Sequence, residues 1–189
     1  MANFFAFISR MKFINRWSLM RNTSYESLSV HSQEVSIIAH ALCVIGNKRL
    51  KKNYNADKAA TIALYHDASE IITGDMPTPV KYDNANIKKA YKDIENVANE
   101  KLISMLPDDL KDEYRDILFY DESYKKIIKS ADKISAIIKC EEELKMGNTE
   151  FKKARETCLK ALKNIKCEEA DIFMKEFFKA YSLSLDELN

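Results

Sequence analysis

Apolar residues recur at every third or fourth position along most of the chain, which is the spacing of amphipathic helices. The first predicted helix places four of them on one stripe: Phe4, Ile8, Met11 and Ile14. A second helix is predicted from a cap at Ser29 to an end at Gly46 and Asn47. A third begins at Asn55 or Asp57 and continues through small and aliphatic residues to a stop at Gly74.

The same spacing predicts helices through the rest of the chain. They cover residues 87–105, 110–117, 124 to about 147, 151–165 and 170–181. Residues 75–79 are predicted to be a stiff, non-helical loop, because two prolines there remove hydrogen-bond donors and fix the backbone. No repeat and no linker interrupts the pattern, so we expect one all-α domain over residues 1–189.

Composition and charge narrow the function classes. Three Gly and three Pro in 189 residues are too few for a β-sandwich or a barrel. Thirty basic and twenty-nine acidic residues give a net charge of +1, which is too balanced for non-specific binding of a nucleic-acid polymer. A small-molecule ligand is therefore favoured.

Cysteine usage and hydropathy indicate the compartment. The four cysteines, which form no CxxC pair, are Cys43, Cys140, Cys158 and Cys167. They are interpreted as buried or incidental thiols in a reducing cytoplasm. The apolar start of the chain lacks a cleavage site, and we expect no run of about 18 apolar residues and hence no membrane span.

Two of the three histidines lie at the ends of the two predicted helices whose apolar stripes predict a central position in the fold. His66 and Asp67 are adjacent and about 100° apart around a helix, so they can converge on one ion only if it lies over the edge between them. A single helix cannot complete that site. His31 and Asp132 are the candidates for the remaining ligands. Two imidazoles and two carboxylates suit Mn²⁺, Co²⁺ or Fe²⁺ with positions left for water and substrate, and metal-bound water loses a proton readily.

Four further residues complete the candidate chemistry. Glu70 lies one turn after His66 and Asp67 and is the candidate general acid or base, and Asp75 on the stiff loop can orient a water or contact a sugar. Arg16 can bind a phosphate through two hydrogen bonds, and Trp17 can form a flat wall for a sugar or a base.

Each of these residues also has a purely structural interpretation. The two histidines can be packed or helix-terminal residues, and Asp132 can be an ion-pair partner of Lys129 or Lys133. Glu70 can belong to a surface pair and Asp75 can cap a turn. Arg16 can be a solvated cation and Trp17 a core residue.

The adjacent His66-Asp67, with His31 before it and Asp132 after it, resembles the HD-domain metal-dependent phosphohydrolases. The stretches around these residues are similar to the bacterial 5'-deoxynucleotidase branch of that family. They are NRWSLMRN (15–22), YHDASEIITGDMPTPVKY (65–82), KSADKISAIIKCEEELKMGN (129–148) and the tail SLSLDEL (182–188). The resemblance spans essentially the whole chain. One position departs from the pattern, because Val30 stands where the family usually has an acidic residue.

The resemblance implies an all-α HD-domain helical bundle that forms a homodimer and removes phosphate from deoxyribonucleoside 5'-monophosphates. It implies one divalent ion such as Co²⁺, Mn²⁺ or Cu²⁺, held by His31, His66, Asp67 and Asp132. By the same resemblance Arg16 would orient the phosphate, Glu70 and Asp75 would serve the nucleophilic water, and Trp17 would crowd a ribonucleotide 2'-hydroxyl. The implied substrate contacts are Arg16, Trp17, His31, Asp67, Asp75, Met76, Pro77, Thr78 and Asp132.

Two other functions remain open from the sequence. Another HD-type enzyme, a phosphodiesterase or a hydrolase of nucleoside triphosphates or alarmones, would use the same metal site. A non-catalytic helical module that binds nucleotides or partner helices would not respond to a metal.

Overall fold

A computed structural model describes residues 2–81 and 84–188, and its regular secondary structure is helical. Within these residues the only β pairing is an isolated antiparallel bridge between Asn15 and Ser27. The predicted all-α class is therefore confirmed. The helices are α1 Phe4–Ile8, α2 Leu28–Arg49, α3 Ala56–Tyr65, α4 Glu70–Thr73, α5 Thr78–Lys81, α6 Ala85–Ser104, α7 Lys111–Leu118, α8 Glu122–Lys145, α9 Lys152–Ile165 and α10 Glu168–Glu176.

The chain divides into two compact units. The first contains Met1–Met20, Tyr25–Ser32 and Tyr65–Tyr120, and the second contains Arg21–Ser24, Gln33–Leu64 and Asp121–Asn189. The prediction that residues 1–189 form one domain stays a prediction.

The first unit is organised around α6, which contacts α1, α4, α5 and α7. Its buried apolar core consists of Phe4, Ala68, Leu102, Ile103, Leu106 and Leu118. Ala68 follows directly after the adjacent His66 and Asp67 and is completely buried. Burial of this small side chain fixes the turn that carries the two candidate ligands against the core.

The second unit is organised around α8, which contacts α9 and α10. Most of the inward face of α8 is apolar, but it also carries a buried ion pair between Lys139 and Glu143. Lys139 Nζ lies 2.5 Å from Glu143 Oε1 and also donates to the carbonyl oxygen of Ser24 at 2.7 Å. A buried pair of this kind is tolerated only when both groups find further hydrogen bonds, as they do here.

Helix α2 differs from the prediction at both ends. It begins at Leu28, and the capping hydroxyl is that of Ser27, which accepts a hydrogen bond from the Val30 amide at 3.3 Å, so the assignment of the cap to Ser29 was wrong. The helix also continues through Gly46 to Arg49. Gly46 is explained by crowding, because a Cβ there would lie 2.8 Å from the Tyr54 ring.

The third predicted helix is interrupted. Asn55 caps α3 as expected, accepting from the Lys58 amide at 2.9 Å. However, α3 ends at Tyr65, a turn occupies residues 66–69, and α4 begins at Glu70. His66 and Asp67 thus lie on a turn between two helices and not within one continuous helix.

Residues near the prolines and at the start of the chain also differ from the prediction. The loop expected at 75–79 is non-helical only to Pro77, because Thr78–Lys81 forms a short helix whose first turn accommodates Pro79. The first predicted helix is α-helical only over Phe4–Ile8 and continues as a 3₁₀ helix over Ser9–Phe13.

Helix α2 is the one described helix long and apolar enough to cross a membrane, which the sequence analysis did not expect. Of its most apolar 18-residue window, 56% is buried inside the protein. The core helix of a soluble protein meets the same criteria of length and composition, so this observation is weak support for a membrane span.

Candidate active site

Three of the predicted metal ligands lie together in the first unit. One ligand atom from each of His31, His66 and Asp67 lies within 4.8 Å of the other two. Asp67 Oδ2 is 3.0 Å from His66 Nε2 and 3.7 Å from His31 Nε2. Two imidazole nitrogens and a carboxylate oxygen at this separation form a donor set that suits a divalent transition metal ion.

Local structure aims these side chains at one point. His31 lies in the first turn of α2, where its amide donates to the Ser27 carbonyl at 3.1 Å, and its side chain is completely buried. The turn after α3 is closed by a hydrogen bond from the Ala68 amide to Tyr65 and by another from the Glu70 amide to Asp67. This turn presents two consecutive residues, His66 and Asp67, to one side.

Asp132, the fourth predicted ligand, belongs to the second unit. It lies on α8, directly after the buried Ala131, and is partly exposed. Lys133 Nζ donates to its Oδ2 at 2.9 Å, which is one of the ion pairs that the sequence left open. The role of Asp132 as a ligand stays a prediction.

Arg16 and Trp17 converge on one carboxylate oxygen. Glu26 Oε2 accepts from Arg16 Nε at 3.1 Å and from Trp17 Nε1 at 2.8 Å. Arg16 also places one guanidinium nitrogen 3.5 Å from Asp67 Oδ2, and only 13% of its side chain is exposed. Arg16 is therefore not the solvated cation that the sequence left open, and it borders the metal-ligand cluster.

Glu70 is a buried carboxyl group beside that cluster. It is 4% exposed, and its Oε2 has no hydrogen-bond partner among the described residues. Burial, followed by the charges of Asp67 and Asp75, raises the pKa of Glu70 to about 10. The alternative of an exposed surface pair was therefore wrong for this residue.

Asp75 follows the end of α4. Gly74 ends that helix with a φ of +75°, a left-handed conformation that favours glycine, and its amide donates to the Glu70 carbonyl at 2.8 Å. The chain then turns to Asp75, which is half-buried. Burial raises the pKa of Asp75, and the Arg16 guanidinium opposes this effect.

Three other predicted substrate contacts follow Asp75. Met76 and Pro77 are half-buried, and Thr78 begins α5. The side chain of Thr78 lies outside the described part of the structure.

Glu26 and Lys81 also border the site, and neither was among the predicted site residues. Lys81 Nζ donates to Glu95 at 2.8 Å, lies 3.8 Å from Glu70 Oε1 and stands 4.4 Å from the centre of the Tyr91 ring. Burial alone would lower the pKa of Lys81, but Glu95 and Glu70 raise it overall. Glu26 lies outside the stretches that carry the family resemblance, and Lys81 lies inside one of them, residues 65–82, without an assigned role.

A family model described as "5'-deoxynucleotidase YfbR-like" matches residues 3–181. The chain belongs to the YfbR-like 5'-deoxynucleotidase family. Curated relatives from Yersinia pestis (strain Pestoides F) and Yersinia pseudotuberculosis (strain IP 31758) are each 48% identical over 192 residues. These alignments cover 100% of the chain and 98% of each relative, and both relatives are named 5'-deoxynucleotidase.

Solved structures show the same fold as this YfbR-like chain. An HD-domain phosphohydrolase from Listeria innocua has a TM-score of 0.82 and 24% identity, over 95% of this chain and 88% of that chain. A cyanophage S-2L HD phosphohydrolase, solved with dA and one catalytic Zn²⁺, has a TM-score of 0.69 and 18% identity, over 93% of this chain and 95% of that chain. The predicted HD-domain helical architecture is therefore confirmed.

Family membership also confirms the predicted activity. The YfbR-like chain is an enzyme, a hydrolase of deoxynucleoside 5'-monophosphates. The non-catalytic helical module that the sequence left open is thereby excluded.

Proposed function

We propose that the cluster of His31, His66 and Asp67 holds one divalent transition metal ion and that hydrolysis of the 5'-phosphate takes place there. The observation that carries this proposal is the placement of three ligand atoms within 4.8 Å of one another. Asp132 is the proposed fourth ligand, on the strength of the resemblance to the HD-domain phosphohydrolases. Cobalt or manganese fits the mixed nitrogen and oxygen donors, and the cyanophage relative with Zn²⁺ makes zinc a third candidate.

A bound divalent ion would lower the pKa of a water molecule and polarise a phosphoryl oxygen. The protein's own contribution begins with Arg16. Its guanidinium borders Asp67 and can neutralise the charge that develops on the phosphoryl oxygens. Glu26 accepts a hydrogen bond from Arg16 Nε, and the terminal nitrogen Nη1 of Arg16 lies 3.5 Å from Asp67 Oδ2 in the cluster.

Glu70 and Asp75 are the proposed groups for proton transfer. Glu70 Oε2 is buried with no hydrogen-bond partner among the described residues, so it can accept a proton from the attacking water or give one to the leaving 5'-oxygen. Asp75 is proposed to orient the water or contact the sugar. His31, Asp67 and Asp132 are proposed to contact substrate as well as metal.

Sugar selection is assigned to Trp17 and the segment after Asp75. A rigid indole beside the phosphate-binding Arg16 would leave no room for the 2'-hydroxyl of a ribonucleotide. Residues 76–78 are proposed to contact the nucleotide. We also propose a homodimer in a reducing cytoplasm, on the basis of the family resemblance and the cysteine usage.

The test of the metal site is Asp67→Asn, compared with Asp57→Asn at a position where 96% of the carboxylate side chain is exposed. We expect Asp67→Asn to lose bound metal, measured by elemental analysis, and nearly all release of phosphate from dAMP. Asp57→Asn should keep both its bound metal and its release of phosphate from dAMP. Full activity in Asp67→Asn would show that the reaction site lies elsewhere, and turnover of bis-phosphate esters by the wild type would favour a phosphodiesterase.

A further inference from the structure

The side chain of Glu26 links the two residues to which phosphate binding and sugar selection are assigned. Its Oε2 accepts hydrogen bonds from Arg16 Nε and Trp17 Nε1, and 7% of the residue is exposed. A single oxygen thus fixes the guanidinium and the indole relative to each other. Removal of this nearly buried carboxylate would be destabilising, because it would leave both donors, Arg16 Nε and Trp17 Nε1, without their acceptor.

Backbone pairing delivers Glu26 to this position. The Arg16 amide donates to the Glu26 carbonyl at 2.9 Å, and the Leu28 amide donates to the Ile14 carbonyl at 2.8 Å, on either side of the bridge between Asn15 and Ser27. Glu26 lies ten positions after Arg16 in the sequence, yet the two segments run antiparallel and adjacent. Backbone pairing therefore places the Glu26 main chain beside Arg16, within reach of its side chain.

Trp17 adopts an uncommon backbone conformation at the same place. Its φ is +57°, in the left-handed region, which is a strained conformation for a bulky L-residue. The Met20 amide closes the following turn by donating to the Trp17 carbonyl at 2.9 Å. Such a conformation persists only where the surroundings hold it, and the hydrogen bond from Nε1 to Glu26 is one of the contacts that does so.

We infer that Glu26 is a positioning residue that sets the selectivity for deoxyribose over ribose, by holding Trp17 in its left-handed conformation and aligning it with Arg16. This inference rests on the roles proposed for Arg16 and Trp17. Glu26 itself acts through these two residues and does not take part in the chemistry.

The test uses Glu26→Ala, which removes the shared acceptor. We expect the ratio of kcat/KM for dAMP to kcat/KM for AMP to fall by about 10-fold, as expected for the loss of a buried hydrogen bond to a charged acceptor. Metal content should stay that of the wild type. Glu26→Gln, which keeps an acceptor oxygen, should stay within about threefold of the wild-type ratio.

Fluorescence provides a readout that needs no substrate. Trp17 is the only tryptophan of the chain. In Glu26→Ala its emission should shift to longer wavelength and acrylamide should quench it more strongly, whereas Glu26→Gln should resemble the wild type. Glu100→Ala is the matched control, because it removes an exposed carboxylate from a bidentate pair with Arg115 in the same unit.

Several results would overturn the inference. Unchanged emission and quenching in Glu26→Ala would show that Glu26 does not hold the indole. Changed fluorescence with an unchanged dAMP to AMP ratio, in an enzyme where Trp17→Ala does lower that ratio, would remove the role in selectivity. If Trp17→Ala leaves the ratio unchanged, the proposed role of Trp17 is wrong and the selectivity role of Glu26 falls with it, but the fluorescence still decides whether Glu26 positions the ring.

A second variant, Glu26→Asp, tests the inference if Glu26→Ala does not fold. Glu26→Asp keeps the charge but shortens the side chain by one methylene, so it should lose the hydrogen bond to Trp17 and behave like Glu26→Ala in both readouts. Wild-type values of both readouts in Glu26→Asp would contradict positioning through this hydrogen bond.

Discussion

At the residue scale, Lys81 is a partly buried cation that lies among carboxylates of the first unit. Its ammonium group lies between Glu95 and Glu70 and stands over the Tyr91 ring, and only 20% of its side chain is exposed. The Tyr91 hydroxyl in turn donates to the carbonyl oxygen of Gly74 at 3.3 Å, at the end of α4. Lys81 therefore connects the proposed acid or base, Glu70, to the loop that carries Asp75.

We expect Lys81→Met to lower kcat for dAMP by about 10- to 100-fold, because it retains the aliphatic length but removes the charge that faces Glu70. Lys81→Arg should restore part of the activity. Lys92→Met is the matched control, since Lys92 pairs with the same Glu95 carboxylate at 3.8 Å but is 63% exposed. Equal steady-state rates for Lys81→Met and Lys92→Met would mean that Lys81 does not position Glu70.

At the element scale, Glu143 on α8 fastens residues 23 and 24 to that helix. Its carboxylate accepts from the Thr23 amide at 2.9 Å, the Thr23 hydroxyl at 2.8 Å and Asn148 Nδ2 at 2.8 Å, in addition to Lys139. Burial opposes ionisation of Glu143, but the hydrogen bonds from Lys139, Thr23 and Asn148 outweigh it and lower the pKa to about 2. The ionised form is thus strongly preferred in the folded protein.

The lowered pKa gives the stability of the fold a pH dependence with a definite sign. Since an unfolded Glu titrates near 4.5, the stabilisation by ionised Glu143 is fully present above that pH and is lost as pH falls towards 2. We expect Glu143→Gln to reduce the free energy of unfolding at pH 7 by about 3 kcal/mol, as for other broken buried pairs. In urea denaturation, the difference in free energy of unfolding between wild type and Glu143→Gln should decrease as the pH falls from 4.5 to 2.

The control for this experiment is Glu156→Gln. Glu156 has 55% of its side chain exposed and pairs with Lys153 within α9. Its substitution should change the free energy of unfolding by less than about 1 kcal/mol at every pH. A constant difference between wild type and Glu143→Gln from pH 7 to pH 2 would contradict the assigned ionisation.

Helices with a regular apolar stripe were predictable from the sequence, and their interruptions were not. The long helices α6 and α8 follow the 3.6-residue period closely because one face of each is buried. The end of α3 carries no Gly or Pro, so the local sequence does not predict the turn at His66 and Asp67. Gly46 is the opposite case, a helix-ending residue by composition that lies inside α2 because the Tyr54 ring approaches its backbone.

At the scale of the whole molecule, the sequence predicted the three side chains of the candidate metal cluster but not the residues that position the neighbouring Arg16, Trp17 and Glu70. His31, His66 and Asp67 stand out because histidine is rare in the chain and because an adjacent His-Asp pair is a recognisable motif. Glu26 and Lys81 are two of 59 charged side chains, and their positioning roles follow from tertiary contacts. Positioning residues are therefore hard to predict from sequence, because the groups that they touch are distant along the chain.

Binding of the ion should couple the site to the stability of the molecule, because a ligand that binds only the folded state stabilises it. Mn²⁺ at about 100 times its dissociation constant adds about 2.7 kcal/mol, which corresponds to a rise in Tm of roughly 5 to 10 °C for a chain of this size. We expect this shift when Mn²⁺ is added to chelator-treated wild type, and none in His66→Ala.

His40→Ala is the control, because His40 is another histidine of the chain but is 48% exposed and outside the cluster. It should show the wild-type shift. The same shift in His66→Ala, measured by calorimetry, would place the stabilising ion somewhere other than the proposed site.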